Sequence, residues 1–213
     1  AVKTIVTTPM AVKIAEHYGV ELVDVLTGFK FIGEQIGCLE KAGQTERYLF
    51  GFEESYGYLS GSFVRDKDAV NASLLICEMF AWYKTRGKSL LEVLDELYRT
   101  YGFYESRLLS FSFAGAEGFS RMTGLIQGLR EQHPRAIEGY TVEQVVDYQN
   151  DFTGLPRSNV LRFFLSGGQE AVIRPSGTEP KLKVYLTALS QSKEESRDIA
   201  DRLAMYFHTW AER

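Results

Sequence analysis

The helical pattern of the first hundred residues dissolves into glycine and aromatics over residues 101–107, and a different grammar begins beyond that point. Ahead of the break, short strand-like runs alternate with helices. After it, one strand-like run follows another with few helices between. The change divides the chain into two domains, expected at residues 1–104 and 105–213. A length of 213 residues suits two domains of about a hundred, each able to form a core of its own.

In the first half, residues 2–7 read as a strand, Thr8 and Pro9 as a helix start, Gly19 as its stop and residues 20–25 as the next strand. A helix over 31–39 and a strand over 47–52 deliver the chain into residues 53–66, a loop of glycine, serine and aromatics that also holds Arg65. Residues 68–85 are apolar on most of a helical circumference, with a polar stripe at Asn71, Glu78 and Thr85. That pattern predicts a helix packed on two or more sides at the centre of the first domain. Ser89 and Glu92 then form a capping box.

In the second half a strand over 108–113 and a helix over 117–130 precede strands over 160–165, 170–174 and 182–186, with Gly167-Gly168 as a hairpin turn. A capping box at Ser192 and Glu195 opens a closing helix whose core stripe is Ile199, Leu203, Phe207 and Trp210. The expected fold class is therefore α/β plus α+β. The first domain is a mixed α/β sheet with helices, and the second a small, mostly antiparallel sheet with two helices.

Apolar residues at 45% and charged residues at 24% exclude a disordered chain and a membrane protein. A net charge of −4 excludes a broad nucleic-acid surface, so any anion site must be local. No run is long and apolar enough for a membrane span, and no signal peptide opens the chain. The sequence starts with Ala1, directly on a strand, and reads as an excised piece. Cys38 and Cys77 lie in helical stretches without metal-ligand spacing, which predicts buried free thiols and a reducing, cytoplasmic setting.

Two segments carry chemistry. Arg174-Pro175-Ser176-Gly177-Thr178-Glu179-Pro180-Lys181 offers a guanidinium, two hydroxyls and up to four consecutive backbone N–H groups, from Ser176 to Glu179, between two strands. Gly177 can take positive φ and let those groups converge on an anion, while Arg174 supplies a planar fork for two phosphate oxygens. On composition alone the same string is equally an ordinary turn. Gly51-Phe52-Glu53-Glu54-Ser55-Tyr56-Gly57 sets two carboxylates and a hydroxyl after a strand. Such a pair can do acid–base work, bind metal, grip vicinal sugar hydroxyls, or sit on a solvated loop above packed tyrosines.

The eight-residue string Arg174 to Lys181 resembles the phosphate-binding loop in the last domain of the α-D-phosphohexomutases. The second segment resembles the sugar-binding loop of that family's third domain. The resemblance implies that Arg174, Ser176, Gly177 and Thr178 hold the substrate's non-transferred phosphate. Lys183 either adds to the positive field or is an exposed strand lysine. It also implies that Glu53 and Ser55 contact the 3- and 4-hydroxyls of the hexose, with Glu54 as the variable residue between them. Thr27-Gly28-Phe29-Lys30 resembles the family's Thr-Gly-x-Lys turn, which brings Lys30 to the cleft. Arg65-Asp66-Lys67-Asp68 resembles a recurring segment, for which an N-cap at Asp68 with Arg65 as its ion-pair neighbour is the favoured reading. Glu54 after Phe52 and Glu53 is closer to the glucose- and pentose-phosphate mutases than to the phosphoglucosamine mutases.

The resemblance further implies a TATA-box-binding-protein-like second domain and a reaction that interconverts glucose 1-phosphate and glucose 6-phosphate through a phosphoserine and a bisphosphorylated intermediate. A pentose- or mannose-phosphate substrate, or a noncatalytic phosphosugar-binding module, is the alternative. Magnesium on an aspartate-rich loop assists that reaction. Here His17, His133 and His208 follow Glu, Gln and Phe, so no Ser-His phosphoserine motif is present, and the sole Asp-x-Asp is Asp66-Lys67-Asp68. The chain is thus expected to supply no catalytic or metal-ligating residue, to be inactive alone, and to work with a hexose phosphate and the N-terminal catalytic domains of the same protein.

Overall fold

The computed structural model describes residues 1–176 and 179–212. The chain forms two compact units, Ala1–Tyr101 and Gly102–Arg213. The division falls a few residues ahead of 104/105 because the ten-residue strand that opens the second unit already starts at Phe103.

The first unit runs β1 (Val2–Thr4), α1 (Met10–Tyr18), β2 (Val23–Val25), α2 (Phe29–Lys41), a 3₁₀ turn (Thr45–Arg47), β3 (Gly51–Glu53), β4 (Gly57–Leu59), α3 (Ala69–Lys84) and α4 (Leu90–Tyr101). Its sheet has the order β2-β1-β3-β4, with β1 parallel to both β2 and β3 and β4 antiparallel to β3. This is the expected mixed α/β sheet. Thr8 Oγ1 accepts the Met10 N–H at 3.3 Å, and Gly19 ends α1 at φ 63°, a left-handed conformation suited to glycine. Phe29, Ile32 and Ile36, at helical spacing on α2, close over Val2, Val25 and Leu59 as the core. The strands are shorter than their apolar runs, and β4 emerges from within the stretch read as loop.

One strand residue departs from the apolar rule. Lys3 is fully buried, and its Nζ lies 2.9 Å from Asp24 Oδ1, the residue facing it in the β1–β2 register. The same ammonium donates to the carbonyl oxygens of Thr4 at 3.3 Å and Thr7 at 3.2 Å.

Helix α3 begins as expected, with the Asp68 carboxylate accepting the Asn71 N–H at 2.9 Å. Its surroundings are not those expected, since only Ala72 is buried. A 16-residue helix is about 24 Å long, whereas the sheet strands have three residues and span about 10 Å, so the sheet is too small to cover it. Both cysteines are free and exposed rather than buried. Cys38 lies on α2 away from the Ile32–Ile36 stripe, and Cys77 lies on the uncovered α3. The Ser89–Glu92 capping box forms in both directions, at 3.2 Å from the Glu92 N–H to Ser89 Oγ and 2.7 Å from the Ser89 N–H to Glu92.

The second unit runs β5 (Phe103–Ser112), α5 (Gly115–Glu131), β6 (Ala136–Ile137), β7 (Tyr140–Asp147), β8 (Leu161–Leu165), β9 (Gln169–Pro175), β10 (Lys181–Ser190) and α6 (Lys193–Glu212). Its sheet is antiparallel throughout, in the order β5-β10-β9-β8-β7-β6. Strand alternation sends Phe163, Ala171, Ile173, Leu182, Val184 and Leu186 to one face, where Met122, Ile126, Leu203, Phe207 and Trp210 of α5 and α6 complete the core. The opposite face takes Arg162, Glu170, Arg174, Lys183 and Tyr185. Gly167 and Gly168, at φ 77° and 79°, make the β8–β9 turn.

Candidate functional site

In the first unit, the carboxyl ends of β1, β2 and β3 lie side by side in the register Thr4↔Val25 and Lys3↔Phe52. The segments leaving them are Thr4 to Thr7, Thr27 to Lys30 and Glu53 to Ser55. In open α/β sheets ligands sit outside the carboxyl ends of the strands at a topological switch point, which in a 2-1-3 order lies between β1 and β3. The paired glutamates fall there.

Glu53 ends β3 opposite Gly57 in β4, and residues 54–56 form the turn. A Cβ on Gly57 would lie 2.6 Å from Glu53 Cγ and 2.9 Å from Lys67 Cδ, so glycine leaves the room that the Glu53 side chain occupies. The Glu53 carboxylate is nearly buried and lies 3.8 Å from Lys67 Nζ. Tyr56 supplies the turn's positive φ, 60°, and its ring is exposed, as is Ser55.

Glu54 is more than a spacer. Its Oε2 lies 3.2 Å from Thr4 Oγ1 and 3.4 Å from Thr7 Oγ1, and Oε1 accepts from Ser55 Oγ at 3.2 Å. The two threonine oxygens are 2.8 Å apart. Two hydroxyl protons serve three oxygen–oxygen approaches, so Glu54 always receives at least one bond from this pair when both donate within the cluster. Sequence reasoning passed over Thr4 and Thr7. Their position after the first parallel strand was the signal that could have found them.

Lys30 is exposed on the first turn of α2, with Nζ 4.8 Å from the Phe31 ring centroid. Gly28 before it has φ 123° and ψ 129°, and Thr27 Oγ1 is buried with no hydrogen-bond partner. Arg65 pairs with Glu40 at 2.7 Å rather than with Asp68, because its backbone crosses α2 at Gly33, where any Cβ would strike the Arg65 carbonyl. Asp66 accepts from the Lys67 ammonium and amide, which hold its carboxyl below the usual range.

In the second unit, Arg174 and Lys183 are direct partners in the β9–β10 register and share a face with Tyr185, whose ring centroid is 5.8 Å from the Arg174 guanidinium carbon. Arg174 Nε is buried and has no hydrogen-bond partner. Arg162, on the same face, is neutralised by Glu170 at 2.8 Å. Among the described residues no ion pair engages Arg174 or Lys183, so the uncompensated positive charge of this face is theirs.

The Ser176 N–H donates to the Lys181 carbonyl at 2.7 Å and closes the base of the loop, so it is not one of the amides free for an anion. Gly177 and Thr178, the other two expected phosphate ligands, lie outside the described residues. The Phe113 N–H donates to the Pro180 carbonyl at 2.9 Å and ties the far end of the loop to the end of β5.

Among the described residues no three His, Cys, Asp or Glu side chains converge as metal ligands. Among the described residues, too, no helix is long and apolar enough to cross a membrane.

These two loops, on a mixed α/β unit and an antiparallel unit with two helices, define a class. Residues 1–101 match the model for "phosphoglucomutase/phosphomannomutase, alpha/beta/alpha domain III", and residues 130–205 match that for the C-terminal domain of the same enzymes. The chain belongs to this family, the α-D-phosphohexomutases, and carries its last two domains. A phosphoglucomutase from Staphylococcus aureus strain MSSA476 is 36% identical over 218 residues, covering 97% of this chain and 38% of that protein. A phosphoglucomutase from Staphylococcus haemolyticus is 38% identical over 210 residues, covering 93% of this chain and 38% of that protein. The chain therefore spans well under half the length of these curated relatives.

Among solved structures, the open form of the Paramecium exocytosis-sensitive phosphoprotein pp63/parafusin superposes with TM-score 0.71 at 18% identity, covering 99% of this chain and 37% of that one. A phosphoglucomutase/phosphomannomutase family protein from Burkholderia thailandensis gives TM-score 0.60 at 16% identity, covering 98% and 37%. At that identity both likenesses concern the fold.

Proposed function

We propose that this chain is the substrate-reading half of a cytoplasmic phosphoglucomutase and recognises glucose phosphates without catalysing their interconversion by itself. The observation that carries the reading is the buried, unpartnered Nε of Arg174 beside Lys183 on one sheet face. A buried guanidinium nitrogen without an acceptor is costly, and a phosphate oxygen would satisfy it. Arg174, Lys183 and the Ser176 hydroxyl, with Gly177 and Thr178, would hold the phosphate that is not transferred. Glu53 and Ser55 would take the sugar hydroxyls, with Lys30 entering from the neighbouring turn.

The chemistry assigned to these residues is orientation. Fixing one phosphate and one edge of the ring presents the other end of the sugar to a phosphoserine and a magnesium ion in the preceding domains of a longer polypeptide, which supply phosphoryl transfer. Because glucose 1-phosphate and glucose 6-phosphate exchange ends in such a site, the anchor must accept either phosphate. Two loops, one for charge and one for hydroxyls, suit that requirement. Titration of glucose 6-phosphate and glucose 1-phosphate into the 213-residue chain tests the reading, with Arg174→Ala alongside. Saturable binding that the substitution weakens is expected; the same response from both proteins would sink it.

A further inference from the structure

Lys3 sits in the middle of β1, one of the two strands that flank the switch point, and is fully buried. A buried charge is costly, and an apolar side chain of similar volume often serves a fold as well or better. What the ammonium holds therefore matters. It pairs with Asp24, and it also donates to the carbonyls of Thr4 and Thr7. These are the two ends of one turn, already closed by the Thr7 N–H donating to the Thr4 carbonyl at 3.0 Å. The same two threonines bring their hydroxyls to 2.8 Å from each other and to 3.2 and 3.4 Å from Glu54 Oε2. A continuous line of contacts thus runs from a buried charge to the turn between β3 and β4.

We infer that Lys3 is a positioning residue for sugar recognition: by clamping both ends of the Thr4–Thr7 turn it fixes the two hydroxyls that hold Glu54, and so sets Glu53 and Ser55 on either side. With no exposed surface, Lys3 acts only through that turn. The step from the turn to the ligand rests on the reading of Glu53 and Ser55 as sugar contacts, whereas the hold of Lys3 on the turn does not. A Lys3 that served the fold alone would matter through Asp24, by pinning β1 to β2. The two roles separate on substitution. Lys3→Met removes the clamp on the carbonyls, while Asp24→Asn leaves the ammonium on them.

The test measures backbone order by nuclear magnetic resonance relaxation and glucose 6-phosphate affinity by calorimetry, in the 213-residue chain and in both variants. The amides of Glu54 and Ser55 should have order parameters near the rigid value of about 0.85 in the wild type and in Asp24→Asn, and fall toward about 0.6 in Lys3→Met. Affinity should drop about 2- to 10-fold in Lys3→Met, the cost of ordering a loosened turn on binding, and stay near wild type in Asp24→Asn. Urea unfolding should rank the variants the other way, with Asp24→Asn the less stable. An unchanged turn in Lys3→Met overturns the inference, and so does equal loosening in both variants, which makes the ion pair a unit of the fold. A turn loosened in Lys3→Met without loss of affinity overturns it as well. If the wild type binds no glucose phosphate, the sugar-phosphate reading fails, and the order parameters alone decide whether Lys3 sets the turn. Lys3→Gln, read by the same outcomes, takes the place of Lys3→Met if the latter does not fold.

Discussion

Arg174 and Lys183 stand directly opposite each other in the β9–β10 ladder, two cations on one sheet face without a carboxylate partner among the described residues. Like charges placed directly opposite are unfavourable, and a bound dianion would turn that repulsion into a clamp. The two should not be equivalent. Arg174→Ala is expected to weaken phosphate-ester binding about 10- to 100-fold, the weight of charge-assisted hydrogen bonds to a partly desolvated anion. Arg174→Lys should recover little of it, because an ammonium cannot form the planar fork. Lys183→Met should cost only about 2- to 5-fold, as for a more screened charge. Calorimetric titration with glucose 6-phosphate measures all three.

The attachment of Glu54 to Thr4 and Thr7 predicts that the turn depends on residues fifty positions away. The double substitution Thr4→Val, Thr7→Val preserves shape and removes both donors, leaving a half-buried carboxylate short of partners. Loss of about 1–3 kcal/mol from the stability of the first unit is expected. Chemical denaturation measures the loss, and Glu54→Gln in the same background should recover part of it by removing the charge.

Gly57→Ala addresses the neighbouring carboxylate. The added methyl would meet Glu53 Cγ at 2.6 Å and Oε1 at 2.8 Å, both on a side chain that can swing away. Glucose phosphate affinity should therefore fall while the melting temperature changes little. A fall in both by the same route as an unfolded control would place Gly57 in the fold rather than in recognition.

The buried Lys3–Asp24 pair should respond unequally to its two deletions. Asp24→Asn takes a carboxylate away from a fully buried ammonium and is expected to cost about 3 kcal/mol, whereas Lys3→Met fills the same space and leaves Asp24, whose side chain is one-third exposed, open to hydration. Urea unfolding followed through Trp82 reads the first unit. A larger cost for Lys3→Met would contradict this order.

In the second unit, burial pushes the Asp147 carboxyl up, but the Arg130 guanidinium at 2.8 Å, the Gln149 amide and Asn150 outweigh it and hold the group below the usual range. The folded pKa lies beneath the unfolded value of about 3.9, so the stabilisation is complete well above pH 4 and is lost as pH falls through the lower, folded value. Acid unfolding read by Trp210 in a Trp82→Phe background should show this loss, and Asp147→Asn should flatten it.

Features with a local cause were legible in the sequence. Gly19 stops α1, Ser89 and Glu92 box the start of α4, Asp68 caps α3, and Gly167-Gly168 turns the chain between β8 and β9. Each needs only neighbours within a few positions. Features set by distant parts of the chain were not. The hairpin strand β4 hides in a glycine and aromatic stretch because three residues carry no periodicity. Lys3 reads as a surface residue until Asp24 is placed beside it by the crossover through α1. The exposure of α3 depends on how much sheet there is to cover it. At the site, the loops themselves were recognisable, while the hold of Thr4 and Thr7 on Glu54 spans a separation that only the parallel pairing of β1 with β3 closes.

That hold separates what the turn rests on from what it presents. Glu54 is moored to the central strand of the sheet, and Ser55 and Tyr56 stand exposed beyond it. An engineer could exchange residues 55 and 56 as one changes the bit of a drill, leaving the chuck untouched. Libraries aimed at new sugars would then keep Thr4, Thr7 and Glu54 constant and vary only the two exposed positions.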